Sequence, residues 1–254
     1  MKIQFASDLH LEFRDNSRWL KDNPLIPVGD ILILAGDIGY LGDDNYSNHP
    51  FWSWCSENFR ETVVVPGNHE LYKSFDINEL VEGWEFRIRD NVRAVYNKSI
   101  KYGDIEVVCS TLWAEIPLSE AYFTEKGVTD FRRIRDGRYL LSWERFNEEH
   151  RKCVDYICKT VLESSAKTRI VVTHHVPSFQ LMAEEFRGSL INGAFTSNLD
   201  KMIENLPVNY WIYGHSHRNI EKVIGETKIL TNQLGYVFAN EHKDFKRDKM
   251  IKIQ

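Results

Sequence analysis

No C-x-x-C pair, no stretch of 18 apolar residues and no excess of basic charge occur in this chain of 254 residues, and each absence removes a class of protein. The four cysteines, Cys55, Cys109, Cys153 and Cys158, are scattered, so they read as structural thiols in a reducing compartment rather than as a thiolate zinc site. Without a long apolar run there is no candidate membrane-spanning helix. The start, Met-Lys-Ile-Gln-Phe, reaches Asp8 and His10 with no apolar segment and cleavage site, so a cytoplasmic location is expected. A formal net charge of -5 disfavours a chain whose main task is coating nucleic acid, although a local basic groove is compatible with it. No internal repeat, low-complexity segment or Pro/Gly linker divides the chain. With 43% hydrophobic residues, one large domain over residues 1–254 with a substantial core is expected.

What is present is one pattern repeated along the chain. Val63, Val64 and Val65 have the stiff β-branched side chains of a covered strand, and Pro66-Gly67 stops that strand and delivers Asn68, His69 and Glu70 into a loop. Residues 3–6 likewise end just before Asp8 and His10, whose i, i+2 spacing lets both face one way. Residues 31–35, a continuous apolar run of the kind buried on both faces, end in Gly36-Asp37. Residues 169–173 open onto His174 and His175, and residues 210–213 onto Gly214-His215-Ser216-His217.

Taken singly, each piece admits a bland reading: a capping Asp8, or a hydrogen-bonded Asn-His-Glu turn. Taken together, six of the nine histidines lie in four short clusters at expected strand ends, beside Asp8, Asp37 and Asn68. Oxygen and imidazole donors without thiolate favour Mn, Fe or Zn. The donors are too many for one tetrahedral ion, so two divalent ions are expected.

The remaining segments are read more coarsely. Residues 11–29 and 38–50 look like loops. Helices are expected at residues 51–59 and at residues 76–89, where Asp76 would cap and Leu80, Trp84 and Ile88 share a face, and again at residues 197–206. A long helix after Ser142 carries the stripe Phe146, His150, Cys153, Ile157 and Val161, with His150 as a packing residue. Further strands are expected at residues 92–96, 105–110, 228–231, 236–239 and 250–253. Residues 113–141 interleave aromatics with charge and read either as a lid or specificity insert or as a surface excursion over the core. Arg132, Arg133 and Arg135 there offer guanidinium groups to an anionic substrate.

Asp8-Leu-His10, Gly36-Asp37, Gly67-Asn68-His69-Glu70, His174 and Gly214-His215-Ser216-His217 together resemble the five signature blocks of the calcineurin-like metallophosphoesterase superfamily, in the family's order. Thr-Leu-Trp at 111–113, Asp-Phe-Arg-Arg-Ile at 130–134, His-His-Val-Pro-Ser at 174–178 and Leu-Gly-Tyr at 234–236 resemble a bacterial branch of small single-domain members. The resemblance implies an α/β fold, a two-layer mixed β-sandwich flanked by helices, with a dinuclear centre at the strand ends. It implies that Asp8, His10, Asp37 and His217 hold one metal and that Asp37, Asn68, His174 and His215 hold the other. Two divalent ions against two carboxylates leave roughly two positive charges, enough to attract a phosphate and acidify a water.

In-line attack by a bridging hydroxide would follow, with His69 protonating or stabilising the leaving oxygen and manganese the metal expected to support activity. His175 is placed either in support of the ligands or against substrate, and Arg132 against substrate. One departure stands out: where the superfamily's protein phosphatases continue Gly-Asp-x-x-Asp-Arg, this chain has Tyr40 after Gly36-Asp37-Ile-Gly. That argues against a phosphoprotein phosphatase and leaves His69 without the expected orienting carboxylate. The expected activity is hydrolysis of phosphodiesters, small-molecule or nucleotide, with monoesters also accepted. A phosphomonoesterase, a DNA nuclease and a non-catalytic scaffold of the same fold are the alternatives.

Overall fold

In the computed structural model, which describes residues 1–253, the apolar runs become the inner strands of two six-stranded sheets. In chain order the elements are β1 (Lys2–Ala6), α1 (Arg14–Asp22), β2 (Ile31–Leu34), α2 (Pro50–Asn58), β3 (Glu61–Val64), β4 (Trp84–Arg89) and β5 (Val92–Tyr96). They continue with β6 (Lys98–Tyr102), β7 (Ile105–Ser110), α3 (Leu118–Gly127), α4 (Asp130–Arg133), β8 (Arg135–Asp136), β9 (Tyr139–Leu140) and α5 (Trp143–Glu163). The last are β10 (Thr168–Thr173), α6 (Asp200–Asn205), β11 (Tyr210–Tyr213), β12 (Lys222–Ile224), β13 (Thr227–Thr231) and β14 (Met250–Lys252).

The sheets run β14-β1-β2-β3-β5-β4 and β12-β13-β11-β10-β7-β6. Their inner pairs are parallel, and the outermost pairs β1–β14, β4–β5, β12–β13 and β6–β7 are antiparallel.

Strand alternation sorts each inner strand's side chains into two layers. Ile31 and Ile33 of β2 join Val107, Ile170 and Ile212 between the sheets, whereas Leu32 and Leu34 join Leu20 of α1 and Trp52 and Cys55 of α2. On the other side Val108, Val171 and Trp211 pack with Ile157 and Val161 of α5 and Ile203 of α6. The result is an α/β architecture, a two-layer mixed β-sandwich flanked by helices. Burying one such aliphatic side chain contributes about 1.5–3 kcal/mol, and β2 supplies alternate residues to each of the two layers. Among the described residues no helix is long and apolar enough to cross a membrane.

Several local expectations are corrected. Residues 76–89 do not form a helix: Asp76 caps only a 3-10 turn, Ile77–Glu79, and Gly83 at φ 82 leads into β4. A spacing of four fits a two-residue period as well as a helical one, so Trp84 and Ile88 suit a strand that pairs with β5. Residues 11–29 contain α1, whose only buried residues, Asn16 and Leu20, are too few to mark a helical face in sequence. Residues 236–239 form a 3-10 turn, Val237–Ala239, rather than a strand, and the edge strands β6 and β12 escape notice because each buries a single residue, Ile100 and Ile224. Ser142 does cap α5, accepting from the Arg145 N–H at 3.3 Å. The 113–141 segment packs Trp113, Ile116, Phe131 and Ile134 into the core beside Tyr96 and Phe146, and from there reaches the site.

Candidate metal centre

Because the inner strands are parallel, their carboxyl ends meet at one edge of the sandwich, and the loops that leave them converge. β1 supplies Asp8 and His10, β2 supplies Asp37, β3 supplies Asn68 and His69, β10 supplies His174 and β11 supplies His215 and His217. The turns are tight. Asp8, His10, Asp37, His215 and His217 all adopt left-handed backbone, with φ of 55°, 47°, 56°, 76° and 51°. Each costs about 1–3 kcal/mol and persists only where the surroundings over-determine it. Here the Asp8 N–H donates to the Gly36 carbonyl at 2.9 Å, the His10 N–H to the Asp37 carbonyl at 2.9 Å and the His215 N–H to Asp8 Oδ1 at 3.0 Å. Gly67 is required by space: a Cβ there would lie 2.3 Å from Asp37 Oδ1 and 2.7 Å from His174 Nε2.

Three donor groups result, each with ligand atoms within 4.8 Å of one another: Asp8–His10–His217, His10–Asp37–His69 and Asp37–His174–His215. Asp37 Oδ2 lies 3.8 Å from His10 Nε2 and its Oδ1 lies 3.3 Å from His174 Nε2, so this one carboxylate faces both ends of the cluster. Asn68 Oδ1 is 3.0 Å from His174 Nε2.

The outer nitrogens of these rings are committed elsewhere. His10 Nδ1 meets Glu12 at 3.0 Å, His217 Nδ1 meets Glu241 at 2.7 Å and His174 Nδ1 meets the Ala35 carbonyl at 2.9 Å. A nitrogen facing an oxygen acceptor carries a proton, so in the neutral form of each ring the other nitrogen is a bare lone pair. Yet His10 Nε2 and His217 Nε2 face each other at 3.0 Å, and His174 Nε2 faces the acceptor Asn68 Oδ1. Lone pairs at such distances need positive charge among them. These donors, oxygen and imidazole without thiolate, fit divalent cations.

Where no cation is present, protons take its place. Burial opposes charge on His174, but Asp37 pushes it up to about 9; burial also opposes charge on His217, but Asp8 and Glu241 push it up to about 10. His215, which is buried and flanked by His175 and His174, is held well below the usual imidazole range.

Several residues to which the sequence assigned no role complete the site. Glu12 Oε1 lies 2.8 Å from His69 Nδ1; burial opposes its ionisation, but hydrogen bonds from His10 and His69 bring Glu12 down to about 2. The Glu70 carboxylate accepts from the N–H groups of Asp37, Ile38, Gly39 and Gly67 at 2.9, 2.7, 3.2 and 2.7 Å, tying two ligand loops together. Asp130 accepts from Asn68 Nδ2 at 2.8 Å. The i+2 continuation from His10 to Glu12 was visible in the chain, but Glu241 left no local trace.

A cavity of about 500 Å³ adjoins His69, Asn68 and Asp37, with Phe186, Phe195 and Tyr236 among its aromatic walls. Arg133 lines it. Arg132 does not: its guanidinium donates to the Lys126 carbonyl at 2.7 Å, because neighbours on the single turn of α4 point apart. The expectation for Arg132 is thereby corrected. Arg135 is exposed and pairs with Leu140 in the β8–β9 ribbon. His175 sits behind the site, its ring 4.2 Å from that of His215 and 5.3 Å from that of Trp113. His150 packs in the core and binds the Leu112 carbonyl at 2.9 Å.

A histidine–carboxylate cluster at the parallel-strand edge of such a sandwich defines a metal-dependent hydrolase of phosphoric esters. The chain belongs to the calcineurin-like phosphoesterase family, whose family model matches residues 1–219. It is 30% identical over 271 residues to an uncharacterized protein of Acanthamoeba polyphaga mimivirus, an alignment covering 96% of this chain and 93% of that protein. Its fold is similar to that of the phosphopantetheinyl hydrolase (PptH) of Mycobacterium tuberculosis, with a TM-score of 0.66 and 15% identity over 100% of this chain and 96% of the other.

Proposed function

We propose that the protein hydrolyses phosphodiesters of small molecules or nucleotides, with monoesters as secondary substrates, at a centre of two divalent ions. The observation that carries this reading is Asp37, whose two oxygens face different donor groups. On this reading Asp8, His10, Asp37 and His217 hold one ion and Asp37, Asn68, His174 and His215 the other. Manganese suits the donor set and is the first ion to supply. When bound, such a pair polarises the phosphoryl oxygens and acidifies water.

The chain's own residues do the rest. Arg133 offers a guanidinium to the phosphate from the cavity wall, and His69 Nε2, 3.9 Å from Asp37 Oδ2, lies where it can give a proton to the leaving oxygen. The aromatic walls of the cavity of about 500 Å³ offer apolar surface to the two substituents of a diester. Asp130 and Glu241 also line the cavity, but both are committed to partners, Asp130 to Asn68 and Tyr72 and Glu241 to His217 and Arg218, so the preference for the diester rests on the apolar surface beside the phosphate position. The net charge of -5 speaks against a nuclease, and retention of every donor speaks against a scaffold. The four free cysteines support a reducing, cytoplasmic setting.

The test is the ratio of kcat/KM on bis(p-nitrophenyl) phosphate and p-nitrophenyl phosphate with manganese, using Asp37→Asn as control. A ratio above one supports the diester reading, and a ratio below one replaces it with a phosphatase. Manganese-independent turnover, or none, removes it.

A further inference from the structure

We propose that Glu12 is the positioning residue for His69, holding the ring that gives its proton to the leaving oxygen. This rests on the reading of His69 given above. The Glu12 side chain, 6% exposed, spans two imidazoles: its Oε1 lies 2.8 Å from His69 Nδ1 and 3.0 Å from His10 Nδ1. Among the described residues no other carboxylate reaches His69 Nδ1. Tyr40, which follows Gly36-Asp37-Ile38-Gly39 and carries no carboxylate, stacks its ring on His69, with centroids 6.1 Å apart and planes at 28°. Tyr72 covers another side of the ring at 4.5 Å. Stacking sets the plane of the imidazole but leaves the ring free to flip over about its Cβ–Cγ bond. The hydrogen bond to Glu12 removes that freedom.

With Nδ1–H donating to Glu12, the ring presents Nε2 to the cavity, 3.4 Å from the Tyr236 hydroxyl and 3.9 Å from Asp37 Oδ2. A carboxylate behind the ring fixes the tautomer and offsets the positive charge of the doubly protonated imidazole. After the proton moves from Nε2 to the leaving oxygen as its bond to phosphorus breaks, the neutral ring keeps its Nδ1 proton. The same oxygen also touches His10, so a structural role through that proposed ligand is the competing account, and the experiment must separate the two.

The experiment is a double-mutant cycle of Glu12→Gln and His69→Asn in the full chain with manganese, using methyl p-nitrophenyl phosphate and methyl phenyl phosphate. Manganese stoichiometry and melting temperature are measured alongside. Glu12→Gln is expected to lower kcat by about 10²-fold, with KM and manganese content unchanged. The loss should be larger for the phenyl ester, whose leaving group needs the proton more. In the His69→Asn background Glu12→Gln should cost nothing further. In the metal-free protein, the downfield N–H proton resonance absent from His69→Asn should move upfield in Glu12→Gln, because a neutral amide oxygen accepts more weakly than a carboxylate.

A full additional loss in the His69→Asn background, or loss of manganese with Glu12→Gln, overturns the proposal in favour of action through His10. If His69→Asn turns over normally, or the wild type cleaves neither ester, the underlying reading of the site fails instead, and the proposal with it. Should Glu12→Gln not fold, Glu12→Asp, which keeps the charge but shortens the reach, carries the same cycle and is expected to show the same non-additivity.

Discussion

Asp130 fixes which way round the Asn68 amide points. Its Oδ1 accepts from Asn68 Nδ2 at 2.8 Å and from the Tyr72 hydroxyl at 2.5 Å, so the Asn68 carbonyl oxygen is turned toward His174. A residue of the 113–141 segment thus orients a donor 62 positions earlier in the chain.

Asp130→Ala should therefore weaken manganese binding by roughly 10- to 100-fold, the usual cost of removing a group that orients a ligand. Calorimetric titration of the metal-free protein measures it. An unchanged affinity would mean that Asn68 needs no such anchor.

Gly67→Ala should abolish metal binding, since the new Cβ would press within 2.3 Å of Asp37 Oδ1. Gly83→Ala is the control: its φ of +82° is left-handed, but nothing lies within 4 Å of its Cβ. That control should lose about 1–2 kcal/mol of stability and keep its metal. Elemental analysis and thermal melts compare the two, and equal metal content would refute the steric argument.

Arg133→Ala should raise KM about 10-fold, the low end for a hydrogen bond to a charged group, while Arg132→Ala leaves KM unchanged. Steady-state kinetics on bis(p-nitrophenyl) phosphate decide between them. The reverse ranking would put the wrong arginine on the cavity wall.

Metal binding should release protons. In the metal-free protein burial opposes charge on both rings, yet Asp37 pushes His174 up to about 9, and Asp8 and Glu241 push His217 up to about 10. At pH 8 both rings carry protons that an entering cation must displace, so about two protons leave per chain, and affinity rises with pH through this range. For the metal-free chain the sign is opposite. These raised values stabilise the fold fully below the unfolded value of about 6.5, and that contribution is lost as pH rises through 9 to 10. Titrations in two buffers of different ionisation enthalpy count the protons; a buffer-independent heat would contradict the prediction.

The donor set was legible because its signals are local. A β-branched or aromatic run, a stop, and a polar ligand within three residues can be recognised wherever they occur, as at Val63–Glu70 and at 210–217. The misread helix at 76–89 shows the limit of periodicity: four-residue spacing does not distinguish a helix from a strand, and pairing with β5 decided it.

The sequence by itself determined the inner strands, the long helix α5 and the residues that gather at the strand ends, since strand propensity and turn chemistry act between near neighbours. Only the tertiary structure decided that Glu12 backs His69, that Asp130 turns Asn68, that Glu241 backs His217 and that Arg133 rather than Arg132 faces the cavity. Those contacts join residues from 24 to 62 positions apart, or depend on the rotation of a single helical turn. Packing of the whole chain, not any local preference, brings them within hydrogen-bonding distance.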